Sequence, residues 1–142
     1  MRTLIPSLVL LALPFLVDAA PVPKERAEAE KVVGTWKLVK SSKEAPTGIV
    51  ISLEMELTVG GKVILRQSVN GGPVAIYEGE YSVTKSELPY SIQYPGGGIK
   101  KETLTIKKLT DKELSVVDPN GIQEDFERIK PKKTEEPKPA KP

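Results

Sequence analysis

The carboxylates are the side chains best suited to chemistry in this 142-residue sequence, because it contains neither histidine nor cysteine. The commonest general base, the commonest zinc ligand and any thiolate nucleophile are therefore missing. The candidate pairs of closely spaced carboxylates are Glu54 and Glu56, Glu78 and Glu80, and Glu124 and Asp125. Such a pair can perform acid–base chemistry when it is sheltered from water and its members lie about 5–10 Å apart.

The alternation of apolar and polar residues around these carboxylates predicts that most of them are exposed. Apolar side chains occupy every second position of residues 49–59, which places Glu54 and Glu56 on the opposite, polar face. The same reasoning leaves only Glu124 of the six on an inward face. No calcium-loop motif accompanies the acidic residues. We therefore predict that the protein is not an enzyme and that it has no metal and no cofactor.

The region from residue 33 to residue 130 is a series of short alternating segments separated by turns rich in glycine, proline and asparagine. We interpret Gly60-Gly61 as a two-residue hairpin turn with two positions free to adopt positive φ. The sequence Asp118-Pro119-Asn120-Gly121 is a second strong turn signal. The predicted strands comprise residues 33–40, 49–59, 62–69, 74–84, 88–94, 100–109, 113–117 and 122–129.

Eight short strands joined by short connections predict a meander, in which each strand pairs with its sequence neighbour. Closing that meander removes both sheet edges. The predicted fold is therefore all-β, an eight-stranded antiparallel up-and-down barrel. An eight-stranded sandwich is the alternative, but it needs longer crossovers than the sequence provides.

The inward face of this barrel is mostly apolar, with a few polar groups. It is either a filled core, since small barrels can fill themselves with large side chains, or the lining of a ligand cavity. Both alternatives remain open from the sequence. The candidate ligand-lining residues are Met55, Leu65, Gln67, Tyr77, Tyr81, Tyr90 and Phe126.

One end of the barrel is predicted to be closed by a structural pair. The only tryptophan, Trp36, lies at the start of the first strand, and Arg128 lies near the end of the last. These two strands are neighbours in a closed barrel, so the guanidinium can stack on the indole. Such a contact contributes about 0.5–2 kcal/mol. The alternative is that Trp36 is only a core residue and Arg128 only a surface charge.

Four segments make up the predicted domain organisation. Residues 1–19 combine a basic start, an apolar stretch and small residues, as in a cleaved signal peptide. An uncleaved membrane anchor is the alternative, but the apolar stretch is shorter than the ~20 residues that span a bilayer. Residues 20–32 form a linker that is either a solvated leader or a short helix, residues 33–130 form the barrel, and residues 131–142 form a disordered Lys/Pro-rich tail. We expect a secreted or periplasmic protein with no stable membrane insertion after signal cleavage.

The charge distribution limits the partners. Residues 33–130 carry 13 basic and 13 acidic residues, so the net charge of +2 comes from the tail. This balance predicts no nucleic-acid partner. The tail is predicted to be a solvated linker, making at most weak contact with anionic envelope surfaces. The sequence does not indicate an oligomeric state.

Several motifs together resemble a known family. Gly34-Thr35-Trp36 resembles the Gly-x-Trp that opens lipocalin and lipocalin-like barrels, and Phe126-Glu127-Arg128-Ile129 resembles their closing strand, whose basic residue covers the Trp. With Gly79-x-Tyr81 and the Val117–Gly121 turn, the pattern is similar to small secreted lipocalin-like domains that occur as paralogous families of unassigned function in planctomycete-type bacteria. The resemblance implies an exported barrel that binds a small hydrophobic ligand. The alternative is a structural or protein-interaction domain of the cell envelope with a filled core and no ligand.

Overall fold

The structure, a computed structural model, describes residues 23–130, which form one helix and eight strands. The predicted signal peptide, the first three residues of the predicted linker and the predicted tail lie outside the described residues. Within residues 23–130 no helix is long and apolar enough to cross a membrane. The elements are α1 (Pro23–Val32), β1 (Gly34–Ser41), β2 (Ile51–Leu57), β3 (Lys62–Val69), β4 (Ala75–Tyr81), β5 (Glu87–Gln93), β6 (Ile99–Leu109), β7 (Glu113–Val117) and β8 (Gln123–Ile129).

The strands close into a barrel in which every neighbouring pair is antiparallel. Each strand pairs with the next in sequence, and β1 pairs with β8 to complete the circle. The predicted up-and-down barrel is therefore confirmed, and the alternative sandwich is wrong. The physical reason is the shortness of the connections, which leave each strand beside its sequence neighbour until the first and last strands meet.

The two ends of the barrel differ. We call the end where β1 begins, against α1, the helix end, and the opposite end, where β2, β4, β6 and β8 begin, the open end. The largest fully buried side chains belong to α1 or to the strand segments at and near the helix end, so the core is densest there. They are Val32, Trp36, Leu57, Val63, Leu88, Leu114 and Val116.

Two glycines shape this barrel: Gly79 allows a close approach of two strands, and Gly61 takes a positive φ in a turn. Gly79 on β4 faces β5 so closely that a Cβ there would overlap the backbone carbonyl of Ser91. At the β2–β3 turn, the Gly61 N–H donates to the Thr58 carbonyl (3.1 Å), and Gly61 has φ +80°. The predicted two-residue hairpin with two positive-φ glycines is thus wrong. The loop is one residue longer, because only Gly61 takes the left-handed conformation that ends such a turn.

Candidate functional site

The open half of the barrel contains a cavity of about 220 Å³. It exists because the side chains of the helix end fill only part of the lumen. Its wall on β2, β3 and β4 is almost entirely apolar, with one amide and one phenol. The residues of this wall are Leu53, Met55, Val63, Leu65, Gln67 and Tyr77.

The structure brings most of the predicted lining residues together, and it places one of them elsewhere. The cavity is lined by Met55, Leu65, Gln67, Tyr77, Tyr90 and Phe126. Tyr81 is not part of this lining. It lies at the helix-end terminus of β4, where its O–H donates to the Thr58 carbonyl (2.7 Å) and burial raises the pKa of its phenol. Its inward phase was correctly predicted, but phase does not determine depth along the barrel axis.

The wall formed by β5 and β6 is polar. The Tyr90 O–H donates to Glu102 Oε2 (2.5 Å), and Lys100 Nζ lies 3.0 Å from the same oxygen. Burial, followed by the hydrogen bond to Glu102, raises the pKa of the Tyr90 phenol far above its ordinary value. Burial alone lowers the pKa of Lys100, but the hydrogen bond and charge of Glu102 raise it overall. Tyr90 and Lys100 therefore stay protonated and hold one carboxylate between them.

Two further carboxyl groups, Glu124 and Asp118, complete the polar wall at the open end. Burial raises the pKa of Glu124, the negative charges of Asp118 and Glu102 act in the same direction, and the positive charge of Lys100 opposes them by a smaller amount. In contrast, the backbone N–H of Ile122 donates to Asp118 and, with that of Asn120, lowers the pKa of Asp118. The wall thus combines a turn carboxylate that is readily ionised with an inward carboxyl that resists ionisation.

Sequence reasoning missed Lys100, Glu102 and Asp118. The alternation that places Leu104 inward continues two and four residues towards the N-terminus of β6, to Glu102 and Lys100. That signal was available, but the lining residues predicted from the sequence included no charged side chain. Lys100 keeps 43% of its side chain exposed at the open end, so its charge is tolerated there.

The other five carboxylates lie in the predicted outward phase, but only Glu78 and Glu80 are exposed, and the remaining three are partly buried. Glu56 pairs across β2 and β3 with Arg66 (2.7 Å), and both side chains are about one third exposed. Asp125 accepts a hydrogen bond from the Ser115 hydroxyl, which lowers its pKa. Within residues 23–130, no three acidic side chains are grouped so as to hold a metal ion.

The predicted structural pair lies at the helix end. The Arg128 Cζ is 4.1 Å from the centroid of the Trp36 ring. The Trp36 indole N–H donates to the Val32 carbonyl (2.7 Å), which ties the C-terminus of α1 to the ring. Gly34 lies beside the guanidinium, where a Cβ would overlap Arg128 Nη1. A lone tryptophan, an arginine and a glycine thus close this end.

No family model matches the sequence, and no curated protein is similar to it by sequence. Among solved structures, a lipocalin-like protein from Bacteroides uniformis superimposes with a TM-score of 0.55 at 15% identity, covering 70% of this chain and 99% of that one. An uncharacterized protein from Bacteroides eggerthii gives a TM-score of 0.49 at 15% identity, covering 68% and 98% of the two chains. A de novo designed fluorescence-activating β-barrel gives 0.42 at 17% identity, covering 71% and 96%. On the strength of the first likeness, the chain has a lipocalin-like fold.

Proposed function

We propose that this protein is a binding module that holds one small molecule in the open half of its barrel. The observation that carries the proposal is the cavity itself, which is open to solvent at one end and closed at the other by the packed core. A cavity with an apolar wall and a few convergent polar groups is the usual form of a small-molecule site. The proposal assigns no catalysis to it.

The size of the cavity limits the ligand. About 220 Å³ is below the range of roughly 300–1,000 Å³ that accommodates drug-sized ligands. It is larger than the roughly 150 Å³ cavity that binds benzene in an engineered protein core. The ligand we expect therefore has about one ring, or a short branched chain, and is smaller than a long-chain lipid.

The surroundings of the open end are suited to the entry of an apolar molecule. Large hydrophobic side chains are exposed at the lip of the barrel and in the loops next to it, whereas most others lie in the core. They include Val50, Ile51, Val69, Ile76, Tyr94 and Ile99. An exposed apolar surface can also bind a protein partner, as the envelope-interaction alternative requires.

We also propose that the protein is exported, as the predicted signal peptide implies, and that it meets its ligand outside the cytoplasm. Membership of the narrower planctomycete-type family stays a prediction, since the supporting likeness extends to the lipocalin-like fold only.

Blocking the lumen tests the proposal. Leu65 lines the cavity, whereas its neighbour Ile64 lies on the opposite face of β3. We expect 2-phenylethanol, added during NMR titration, to shift the resonances of the lining residues Met55 and Phe126 saturably. Leu65→Trp should abolish the effect by filling the cavity, and the matched control Ile64→Trp should retain it.

Native mass spectrometry of the protein from its own host complements the titration. A co-purifying small molecule that is lost in Leu65→Trp supports the binding module. If single-ring compounds cause no saturable shift and the protein carries no bound molecule, the binding proposal is wrong and the envelope-interaction alternative replaces it.

A further inference from the structure

The polar wall of the cavity carries more negative than positive groups. It contributes the carboxyl groups of Glu102, Asp118 and Glu124 and a single ammonium, that of Lys100. Counted formally, the wall has an excess of two negative charges. The opposite wall, on β2, β3 and β4, contributes no charged side chain to the cavity lining.

The one ammonium is already engaged. Lys100 Nζ lies 3.0 Å from Glu102 Oε2, and the same oxygen accepts the Tyr90 hydroxyl. Glu102 is the more sheltered partner, with 14% of its side chain exposed against 43% for Lys100. An incoming anion would therefore have to compete with Glu102 for this cation.

Glu124 is the carboxyl group of the wall that lacks such a partner. It lies on β8 opposite Val116 of β7, two residues before the lining residue Phe126, so its side chain points into the lumen. Among residues 23–130 it makes no side-chain hydrogen bond or ion pair. Asp118 and Glu102 bring further negative charge to it, and the positive charge of Lys100, which Glu102 already engages, opposes them only in part. A half-buried carboxyl near like charges is a group that a ligand cation can satisfy.

We propose that the ligand of this cavity is a small amphipathic cation, whose apolar body packs against the β2–β4 wall and whose protonated amine binds Glu124. The inference rests on the proposed function, since it assigns the head group of the molecule held there. The ammonium donates to the Glu124 carboxylate and supplies the positive charge that the wall lacks. A carboxylic acid of the same size meets the excess negative charge and is the poorest ligand.

Three molecules that share a phenyl ring and differ in their head group test this inference. They are 2-phenylethylamine, 2-phenylethanol and 3-phenylpropionate, titrated by NMR at pH 7 and low salt. We expect the amine to bind at least tenfold more tightly than the alcohol, and the acid to bind most weakly. The amine's advantage should shrink in high salt, because part of it is electrostatic.

Glu124→Gln supplies the side-chain test, and Glu127→Gln, at an exposed position of the same strand, is its matched control. The ratio of amine to alcohol affinity should fall about tenfold in Glu124→Gln and be unchanged in Glu127→Gln. In the wild type, the Glu124 carboxyl should titrate at a lower pH when the amine is bound, which a merely structural glutamate would not do. If Glu124→Gln does not fold, the wild-type ligand series and the titration of Glu124 decide whether the amine binds this carboxyl.

The outcomes separate the two proposals. If the three molecules bind equally and Leu65→Trp abolishes their binding, the binding module stands and the cationic head group is wrong. Tighter binding of the acid than of the amine overturns the inference in the same way. If none of the three binds and the protein from its own host carries no bound molecule, the proposed function fails, and the inference fails with it.

Discussion

Arg128→Ala tests whether the arginine at the helix end holds the barrel closed. Its guanidinium covers Trp36 and donates to three main-chain carbonyls that belong to separate segments. Nη1–H donates to Val33 (2.6 Å), Nη2–H to Lys31 (2.6 Å) and Nε–H to Asp111 (2.7 Å). One side chain thus joins the end of α1, the start of β1 and the β6–β7 turn. Alanine removes all of these contacts.

The loss in the free energy of unfolding that we expect follows from how exposed each contact of Arg128 is. The partly buried bond to Val33 has a charged donor and contributes ~1.5 kcal/mol, while the two exposed bonds contribute ~0.5 kcal/mol each. The stack on Trp36 adds ~0.5–1 kcal/mol. We therefore expect Arg128→Ala to lower the free energy of unfolding by about 3 kcal/mol. A domain of ordinary stability, about 5–15 kcal/mol, stays folded after this loss.

Urea unfolding measures the effect, followed by far-UV circular dichroism and by fluorescence of Trp36, the only tryptophan. With a slope of about 2 kcal/mol/M, the midpoint should fall by about 1.5 M. Arg66→Ala is the matched control, because Arg66 makes one ion pair with Glu56 and both side chains are about one third exposed. Such a pair contributes ~0.5 kcal/mol. If the two arginine variants lose the same small amount, the closure argument is refuted.

Three further predictions concern the middle and the open end of the barrel. Gly79→Ala places a methyl group on the Ser91 carbonyl and should cost about 3 kcal/mol or prevent folding, whereas Gly60→Ala, which meets nothing closer than 3.9 Å, should be nearly neutral in urea unfolding. Burial raises the pKa of Glu124 above its ordinary 4.5, so the folded state favours the protonated carboxyl. The stability that this preference contributes is fully present below about pH 4 and is lost as pH rises through the raised pKa and the carboxyl ionises. The melting temperature of Glu124→Gln relative to wild type should therefore increase from about pH 4 to about pH 8, and a constant difference would contradict the assigned burial. Tyr90→Phe should lose ~1 kcal/mol in urea, because the cavity carboxylate loses a hydroxyl donor; an unchanged midpoint would show that this hydrogen bond contributes nothing.

The barrel was predictable from the sequence because alternation is a strong signal when one face of a strand is buried. The alternation from Ile51 to Leu57 gave the inward face of β2, and the short turns gave the strand order. Position along the barrel axis was harder to predict, as Tyr81 shows. Its phase is inward, but it lies level with the packed end rather than the cavity.

The charged half of the cavity was missed for a different reason. Charge is normally a sign of solvent exposure, so Lys100 and Glu102 were not among the predicted lining residues, although they continue the inward phase of Leu104. Hydrophobic pattern alone therefore cannot identify polar lumen residues at an open end. The hollow itself was also unpredictable, because its volume depends on how far the side chains of eight tilted strands reach across the lumen.

The division between a packed end and a charged, hollow end explains how this barrel can accommodate Glu124. A carboxyl that resists ionisation, placed near Asp118 and Glu102, lowers the stability of the folded state at neutral pH. The fully buried residues near the other end and the Arg128 contacts supply stability that does not depend on the cavity. Departures from the rule that charge faces solvent are expected at functional sites, where stability from elsewhere offsets them. A cation in the cavity would remove this destabilisation, so ligand binding and barrel stability should rise together.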